Sequence, residues 1–383
     1  MRPETPALSL ILCSRNDEYM GNSGWRLETA LNYVADRVQA LGREQDVEVL
    51  VADWGSEVPL CNVVSLGPAA ARIVSFVTVP PRFARELQGD SPFPEVLALN
   101  AAARRARGAY IGRIDQDTLV GERFLRWLFE LVEGTRSLDV EEASPETALL
   151  FANRRSIPYR FAVCCPPQRA VERFVAWFGR WLRIETGRVF YRIDVGIWLL
   201  HRRLWNECGG YDERMIYMND MEIDMATRLM SKYPMVDLGR LVDYDFYHLD
   251  HYHPRGSRSS ATHRRVNAQS SLEPSGLQPN GEGWGLSAYA FDVVSVAPGR
   301  AARPAPRNLS LDFPIYVLLI LYTGARLSLD RLIYPFYPVW RRRATIAWRT
   351  VRGQSLIRWP GLLRRIWIER PSARVESQHA EVP

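Results

Sequence analysis

Ile111-Gly112-Arg113-Ile114-Asp115-Gln116-Asp117-Thr118 closes an apolar run that begins at Ala109. In an extended chain, residues i and i+2 point to the same side. Asp115 and Asp117 are therefore expected to face one point. Two hard oxygen donors converging there suit Mg²⁺ or Mn²⁺, which is often held by one or two carboxylates together with substrate phosphates. The competing reading of Asp-x-Asp is a solvated turn, and the surrounding chain decides between them.

Upstream, apolar and amphipathic segments alternate. Leu8 to Cys13 is an apolar run with a polar stop at Ser14-Arg15-Asn16-Asp17. Leu27, Ala30, Leu31, Val34, Val38 and Leu41 recur at helical spacing, with Gly42 placed to end the helix. A second strand is expected over Val47 to Ala52, ending in Asp53-Trp54-Gly55-Ser56-Glu57, and a third over Ile73 to Val79. Glu95 to Arg107 reads as a helix capped by Gly108, leading into the run that delivers Asp115 and Asp117. This alternation predicts an open, largely parallel α/β sheet. In such sheets ligands bind outside the carboxyl ends of the strands, which is where Ser14 to Asp17, Asp53 and Asp115 to Asp117 fall. No G-x-G-x-x-G follows the first strand and no P-loop pattern occurs, so dinucleotide oxidoreductases and P-loop NTPases are disfavoured.

The order strand-CSRND, strand-VADWGSE, helix-ALNAAARRARGAYI, RIDQDT resembles the nucleotide-sugar-binding half of the GT-A glycosyltransferases, in particular glycosyltransferase family 2. The resemblance implies a GT-A, Rossmann-like, mostly parallel sheet flanked by helices. It places Ser14, Arg15 and Asn16 in the first donor loop, Asp53 at the nucleobase and Asn100 on the donor-side helix. Asp115 falls at the ribose and Asp117 at the metal-bound diphosphate, with Asp115 as a possible second ligand. Cys13, Trp54 and Leu99 depart from the family's proline, aspartate and arginine; the last removes a phosphate contact.

Further on, Asp194 to Arg202 is strand-like and leads into Gly209-Gly210-Tyr211-Asp212-Glu213. Paired glycines permit close backbone approach or φ > 0. The same family has an acceptor-side segment of this form, which implies acceptor contacts from Gly210 and Tyr211. Asn219-Asp220-Met221-Glu222-Ile223-Asp224 then enters a helix. Inverting sugar transfer needs a carboxylate to take the acceptor proton. The family pattern puts Asp220 in that role, and a shifted register would put Glu222 there. Asp224 with Arg228 is a plain i,i+4 pair at a helix start and reads as structural. Four of the six histidines lie between positions 248 and 263. Imidazole suits Mn²⁺, and some GT-A families complete the metal shell with a late histidine. His248, at the end of an aromatic-apolar run, is the candidate ligand, with His251 and His253 next.

Composition sets the bounds. At 383 residues with 47% hydrophobic content, the chain can bury a sizeable core. The five cysteines show no Cys-x-x-Cys spacing, which fits a reducing compartment and argues against a thiolate zinc site. The N-terminus lacks a signal-peptide pattern, so a cytoplasmic chain is expected, peripheral on the inner face of the cell membrane.

The expected organisation is a GT-A domain over 1–295, with a nucleotide-sugar half (1–133) and an acceptor half (151–290). A linker over 296–312, a basic-aromatic helical tail over 313–370 and a disordered end over 371–383 complete it. Between 303 and 370, thirteen arginines face only Asp312, Asp330 and Glu369, while the whole chain is +6. Arginine interleaved with Trp, Tyr and Leu suits an anionic membrane surface better than nucleic acid.

Together these point to a divalent-metal glycosyltransferase using Mn²⁺ or Mg²⁺. It would move a sugar from a nucleoside-diphosphate donor, with UDP expected, to a hydroxyl of a glycan or lipid-linked acceptor, with inversion. The alternatives are a nucleotidyltransferase and an inactive membrane-associated binding protein.

Overall fold

The computed structural model describes residues 5–138, 143–185, 195–217, 221–251 and 277–296, together with 318, 321, 322 and 325. Asp220 and His253 lie outside the described residues, as does almost all of the expected tail. Contacts divide the chain into two compact units, Met1–Tyr252 with Arg258–Gly324, and His253–Ser257 with Ala325–Pro383; every strand below belongs to the first.

The strands are β1 (Leu8–Ser14), β2 (Val47–Trp54), β3 (Val74–Val79), β4 (Tyr110–Arg113), β5 (Thr118–Val120), β6 (Leu149–Asn153), β7 (Arg155–Ile157), β8 (Val195–His201), β9 (Met235–Asp237), β10 (Phe246–Leu249) and β11 (Asp292–Ser295). Eight of them form one sheet in the order β11-β3-β2-β1-β4-β8-β6-β9. β3, β2, β1 and β4 run parallel, as their buried apolar runs predict. β8 lies antiparallel between β4 and β6, and β11 antiparallel on β3. The sheet is thus mixed and mostly parallel, with helices over it, in the α/β class that the sequence predicts.

The two faces are packed by separate apolar clusters. Leu27, Leu31, Val34 and Val38 of the helix Ser23–Ala40 join one, with Phe124 and Leu128. Leu97, Ala98, Ala101 and Ala102 of the helix Glu95–Arg105 join the other, with Trp198 and Trp205. The first helix ends as its sequence says: Gly42 at φ 64° donates to Gln39 O and Arg43 donates to Val38 O, the paired bonds of a Schellman stop. The second ends at Arg105, before the expected Arg107, and Gly108 does not cap it. Gly108 is required for another reason: a Cβ there would fall 2.4 Å from the Ser9 nitrogen.

A second, three-stranded sheet, β5-β10-β7, positions the site. β10 pairs antiparallel with β5 and parallel with β7, setting His248 beside both Thr118 and Ser156. Asp245, just ahead of β10, accepts from the Arg123 backbone N–H and so caps the helix Glu122–Val132. Gly121 leaves room for it, since a Cβ there would collide with the Asp245 carboxyl.

Candidate metal and donor site

β4 does not continue extended through the Asp-x-Asp stretch. Thr118 N–H donates to Asp115 O at 3.1 Å, closing a turn, so the alternation of an extended strand does not set where the two carboxylates point. The turn is not a solvated one, because Asp117 is only 4% exposed. Asp115 sits between two guanidiniums, paired with Arg113 at 2.8 Å and with Arg154. Asp117 turns toward the second sheet, where Leu249 N–H holds its backbone oxygen at 3.0 Å.

There Asp117 meets two histidines. His248 Nε2 lies 3.7 Å from Asp117 Oδ1, and His251 Nε2 lies 3.5 Å from Oδ2. One donor atom from each of the three falls within 4.8 Å of the others. Behind His248, Glu185 Oε1 is 3.0 Å from Nδ1. Burial works to raise the Glu185 carboxyl, but the hydrogen bond and charge of His248 and the charge of Arg154 hold it well below the ordinary range. An ionised Glu185 accepts from Nδ1–H and leaves Nε2 facing Asp117, and that buried nitrogen has no hydrogen-bond partner. A carboxylate behind a ligand histidine is the usual way to fix tautomer and ring orientation. The donor set of one carboxylate oxygen and two imidazole nitrogens, with this orphaned atom, fits a divalent ion such as Mn²⁺. Asp115 is not brought into the set, whereas His251 is.

The same point is ringed by fixed positive charge. Arg26, 1% exposed, pairs with Asp117 Oδ2 and donates from Nη2 to Tyr19 O at 2.6 Å. Arg154 reaches Glu185 at 2.7 Å and lies 3.9 Å from Asp117 Oδ1. Burial would raise the Asp117 carboxyl, but the charges of His248, Arg154, Arg26 and His251 outweigh it and hold the group below its ordinary value. A cleft of about 130 Å³ opens beside the cluster, lined in part by Arg26, Trp25, Asn22, Val163 and His251.

A second network lies on the other side of Asp115. Buried Arg113 pairs with Glu95 at 2.6 Å and lies 3.3 Å from Glu222, which sits in the first turn of the helix Met221–Met230. Burial raises Glu95 to about 7, with Asp115 and Glu222 adding to the rise and Arg113 opposing it. Glu222 is thus held in the same network as Asp115. Asp224 is paired with Arg228 at 2.8 Å, both buried, which is the structural role expected of it.

The other sequence candidates are largely consumed in bracing the strand ends. Ser14 donates to Gln116 Oε1 at 2.5 Å. Arg15 pairs with Asp17 at 2.8 Å and donates to Pro92 O at 3.0 Å. Asn16 N–H donates to Ser56 Oγ at 2.8 Å, and Ser56 in turn donates to Asp53. Asp53 is fully buried, and its second oxygen accepts from Leu60 N–H at 2.7 Å. Its carboxylate therefore joins two loops, from a position closed to solvent. Asn100 is likewise buried and clamps Tyr211, donating to its carbonyl and accepting from its N–H, both at 2.8 Å. Gly209 and Gly210 take φ of 62° and 73°, and a Cβ on Gly210 would lie 2.4 Å from Asn100 Oδ1. Tyr211 is 0% exposed and offers no surface to an acceptor. Asn280 and Trp284 of the NGEGWGL segment pack on this corner, Asn280 Nδ2 donating to Gly209 O and Tyr211 O.

Sequence reasoning missed Arg26, Arg154, Glu185 and Glu95. Arg26 breaks no pattern at the start of its helix. Arg154 and Arg155 form an unremarked basic pair, and Glu185 stands alone in its segment. Only their approach in three dimensions gives them meaning.

No protein-family model matches the chain, and no curated protein does. Among solved structures, the chain is similar to S. aureus TarS, with 12% identity and a TM-score of 0.38 over 63% of this chain and 36% of that one. It thus spans about a third of the TarS chain. It is also similar to the catalytic domain of Drosophila β1,4-galactosyltransferase 7 in complex with xylobiose, with 10% identity and a TM-score of 0.37 over 70% and 82% of the two chains. A further structure of that galactosyltransferase, a mutant with manganese, UDP-Gal and xylobiose, matches at 11% identity and a TM-score of 0.32 over 66% and 73%. The likeness is one of backbone layout, at TM-scores below 0.5. At these scores it carries no weight for the chemistry.

Proposed function

We propose that this chain is a metal-dependent glycosyltransferase. It takes a nucleoside-diphosphate sugar, with UDP as the expected nucleotide, and transfers the sugar with inversion to a hydroxyl of a glycan or lipid-linked acceptor. The observation that carries the reading is the Asp117, His248, His251 set at the carboxyl end of β4, with Glu185 behind His248. Strand ends are where open α/β sheets take their ligands.

Asp117, His248 and His251 would hold Mn²⁺ or Mg²⁺. When bound, the ion supplies positive charge to a diphosphate leaving group. Arg154 adds fixed charge on the same side and orders Asp115, the residue assigned to the donor ribose. Asp220 remains the residue assigned to deprotonate the acceptor. Glu222 is the second candidate, and its approach to Arg113 at 3.3 Å holds it in the same network as Asp115. The basic-aromatic tail over 313–370 is assigned to an anionic membrane surface. Among the described residues no helix is long and apolar enough to cross a membrane.

A second reading is favoured by the Arg26–Asp117 pair. If the arginines already neutralise Asp117, Arg26 and Arg154 could carry the diphosphate without an ion.

One experiment separates the readings. The full chain is incubated with UDP-, GDP- and dTDP-sugars in Mn²⁺ or in EDTA, as wild type and as Asp117→Asn. Turnover of one nucleotide class that disappears in EDTA and in Asp117→Asn is expected. Turnover indifferent to EDTA but lost in Arg154→Ala supports the arginine reading. A folded protein that neither turns over nor is stabilised by any of the nucleotides defeats the transferase reading altogether.

A further inference from the structure

The helix Gln168–Phe178 and the turn Gly179–Trp181 after it have two unlike faces. Inward, Ala170, Val171, Phe174 and Val175 are buried, and Phe174 stacks on Phe161 with ring centroids 4.4 Å apart. That side satisfies the packing. Outward, Arg169, Arg173, Trp177, Arg180 and Trp181 are exposed in one stripe at helical spacing. Trp177 is 55% exposed and Trp181 45%. Phe178 fixes both rings from between, edge-on at 6.4 Å to each. Two large rings exposed side by side on one helix face make a candidate contact surface.

The charge along this segment is one-sided. From Arg160 to Arg183 there are five arginines and one acid, Glu172. Glu172 is already paired with Arg37 at 3.0 Å, and Arg180 lies 3.5 Å from Asp243. A second copy would bring the same positive stripe against this one. The chain's own tail over 313–370, with thirteen arginines between 303 and 370, would do the same. Both are opposed by like charge, so the occupant is anionic. The apolar elements are two indole rings on a convex helix face, not a groove with carboxylates to bind sugar hydroxyls. Tryptophan flanked by arginine on an amphipathic helix suits the boundary between headgroups and acyl chains.

We propose that the stripe Arg169, Arg173, Trp177, Arg180 and Trp181 docks the folded unit on an anionic lipid surface. Trp177 and Trp181 insert at the acyl boundary, and the arginines lie among the headgroup phosphates. Val163, exposed just ahead of this helix, also lines the cleft shared with Arg26 and His251. A surface held here therefore lies beside that cleft. The proposal is separate from the sugar-transfer reading, because its readout is lipid binding.

The test uses the full chain and sedimentation with vesicles of phosphatidylcholine, alone or with about a third phosphatidylglycerol. The variants are Trp177→Ser/Trp181→Ser and Arg169→Glu/Arg173→Glu, each checked for a wild-type melting profile. Wild type is expected to bind the anionic vesicles, and each double variant at least tenfold more weakly. Quenching of tryptophan fluorescence by chain-brominated lipid is expected to fall when the two tryptophans are removed. Unchanged binding in both variants overturns the proposal and leaves membrane attachment to other parts of the chain. Absence of wild-type binding overturns it as well. Two further results overturn it in favour of another occupant, when vesicle binding is untouched: loss of a dimer in light scattering, or loss of dextran sulfate binding.

Discussion

Arg26 and Asp117 form a buried ion pair, 1% and 4% exposed, in the middle of the candidate metal site. Removing one partner of such a pair strands a charge and typically costs about 3–5 kcal/mol. Arg26→Met is expected to melt well below wild type without metal. A divalent ion supplies the missing countercharge, so Mn²⁺ should raise its melting temperature more than that of wild type. Equal metal-induced shifts in the two proteins would show that the ion and Arg26 do not share Asp117.

Glu185 and His248 give a graded version of the same test. Loss of a carboxylate behind a ligand histidine usually lowers metal affinity about 10–100-fold. Glu185→Gln is expected to weaken Mn²⁺ binding in calorimetry by that order, and His248→Ala by more. Glu185→Gln with wild-type affinity would separate this carboxylate from the metal shell.

The Glu95 carboxyl ties stability to pH near neutrality. Its folded value, raised to about 7 by burial, lies above the ordinary 4.5, so the folded state binds the extra proton between those limits. Stability contributed by this group is therefore lost as pH rises from about 4.5 to 7. The melting temperature of Glu95→Gln relative to wild type should rise between pH 5 and pH 7.5. A flat difference would mean that Glu95 titrates as it does in the unfolded chain.

Gly210 cannot accept a side chain for two reasons, its φ of 73° and the Asn100 amide 2.4 Å from a Cβ. Gly210→Ala is expected to cost roughly 2 kcal/mol or more, from left-handed strain of about 1 kcal/mol or above plus the clash. Denaturant unfolding measures it. Gly42→Ala, where a Cβ meets nothing within 4 Å, carries the strain alone and should cost less. Equal losses would mean that the Asn100 contact yields without cost.

The parallel core was legible because its strands are buried on both faces and carry mostly apolar runs, as in Leu8 to Leu12. The antiparallel setting of β8 was not, since an apolar strand reads the same in either direction. At the site, Asp117 and His248 stood out through residue type and position at strand ends. Asp53 and Asn100 matched a motif equally well, yet their hydrogen bonds go to Leu60 and Tyr211. Which partner takes a polar side chain depends on a segment up to 111 residues away, and local sequence does not record that. Asp115 and Asp117 were expected to converge because an extended chain was assumed. One turn hydrogen bond, Thr118 to Asp115, ends that extension, and Asp117 meets the histidines while Asp115 pairs with Arg113.

The small sheet β5-β10-β7 joins segments near positions 118, 156 and 248. Nothing in its first two strands can align His248 with Asp117 until the third arrives from more than ninety residues downstream. Contacts of such long sequence separation form late, because their loop-closure entropy must be met before they return anything. The candidate metal site is therefore a certificate of completed folding. A nascent chain that has made β1 to β5 already owns both aspartates, but has no place to keep an ion.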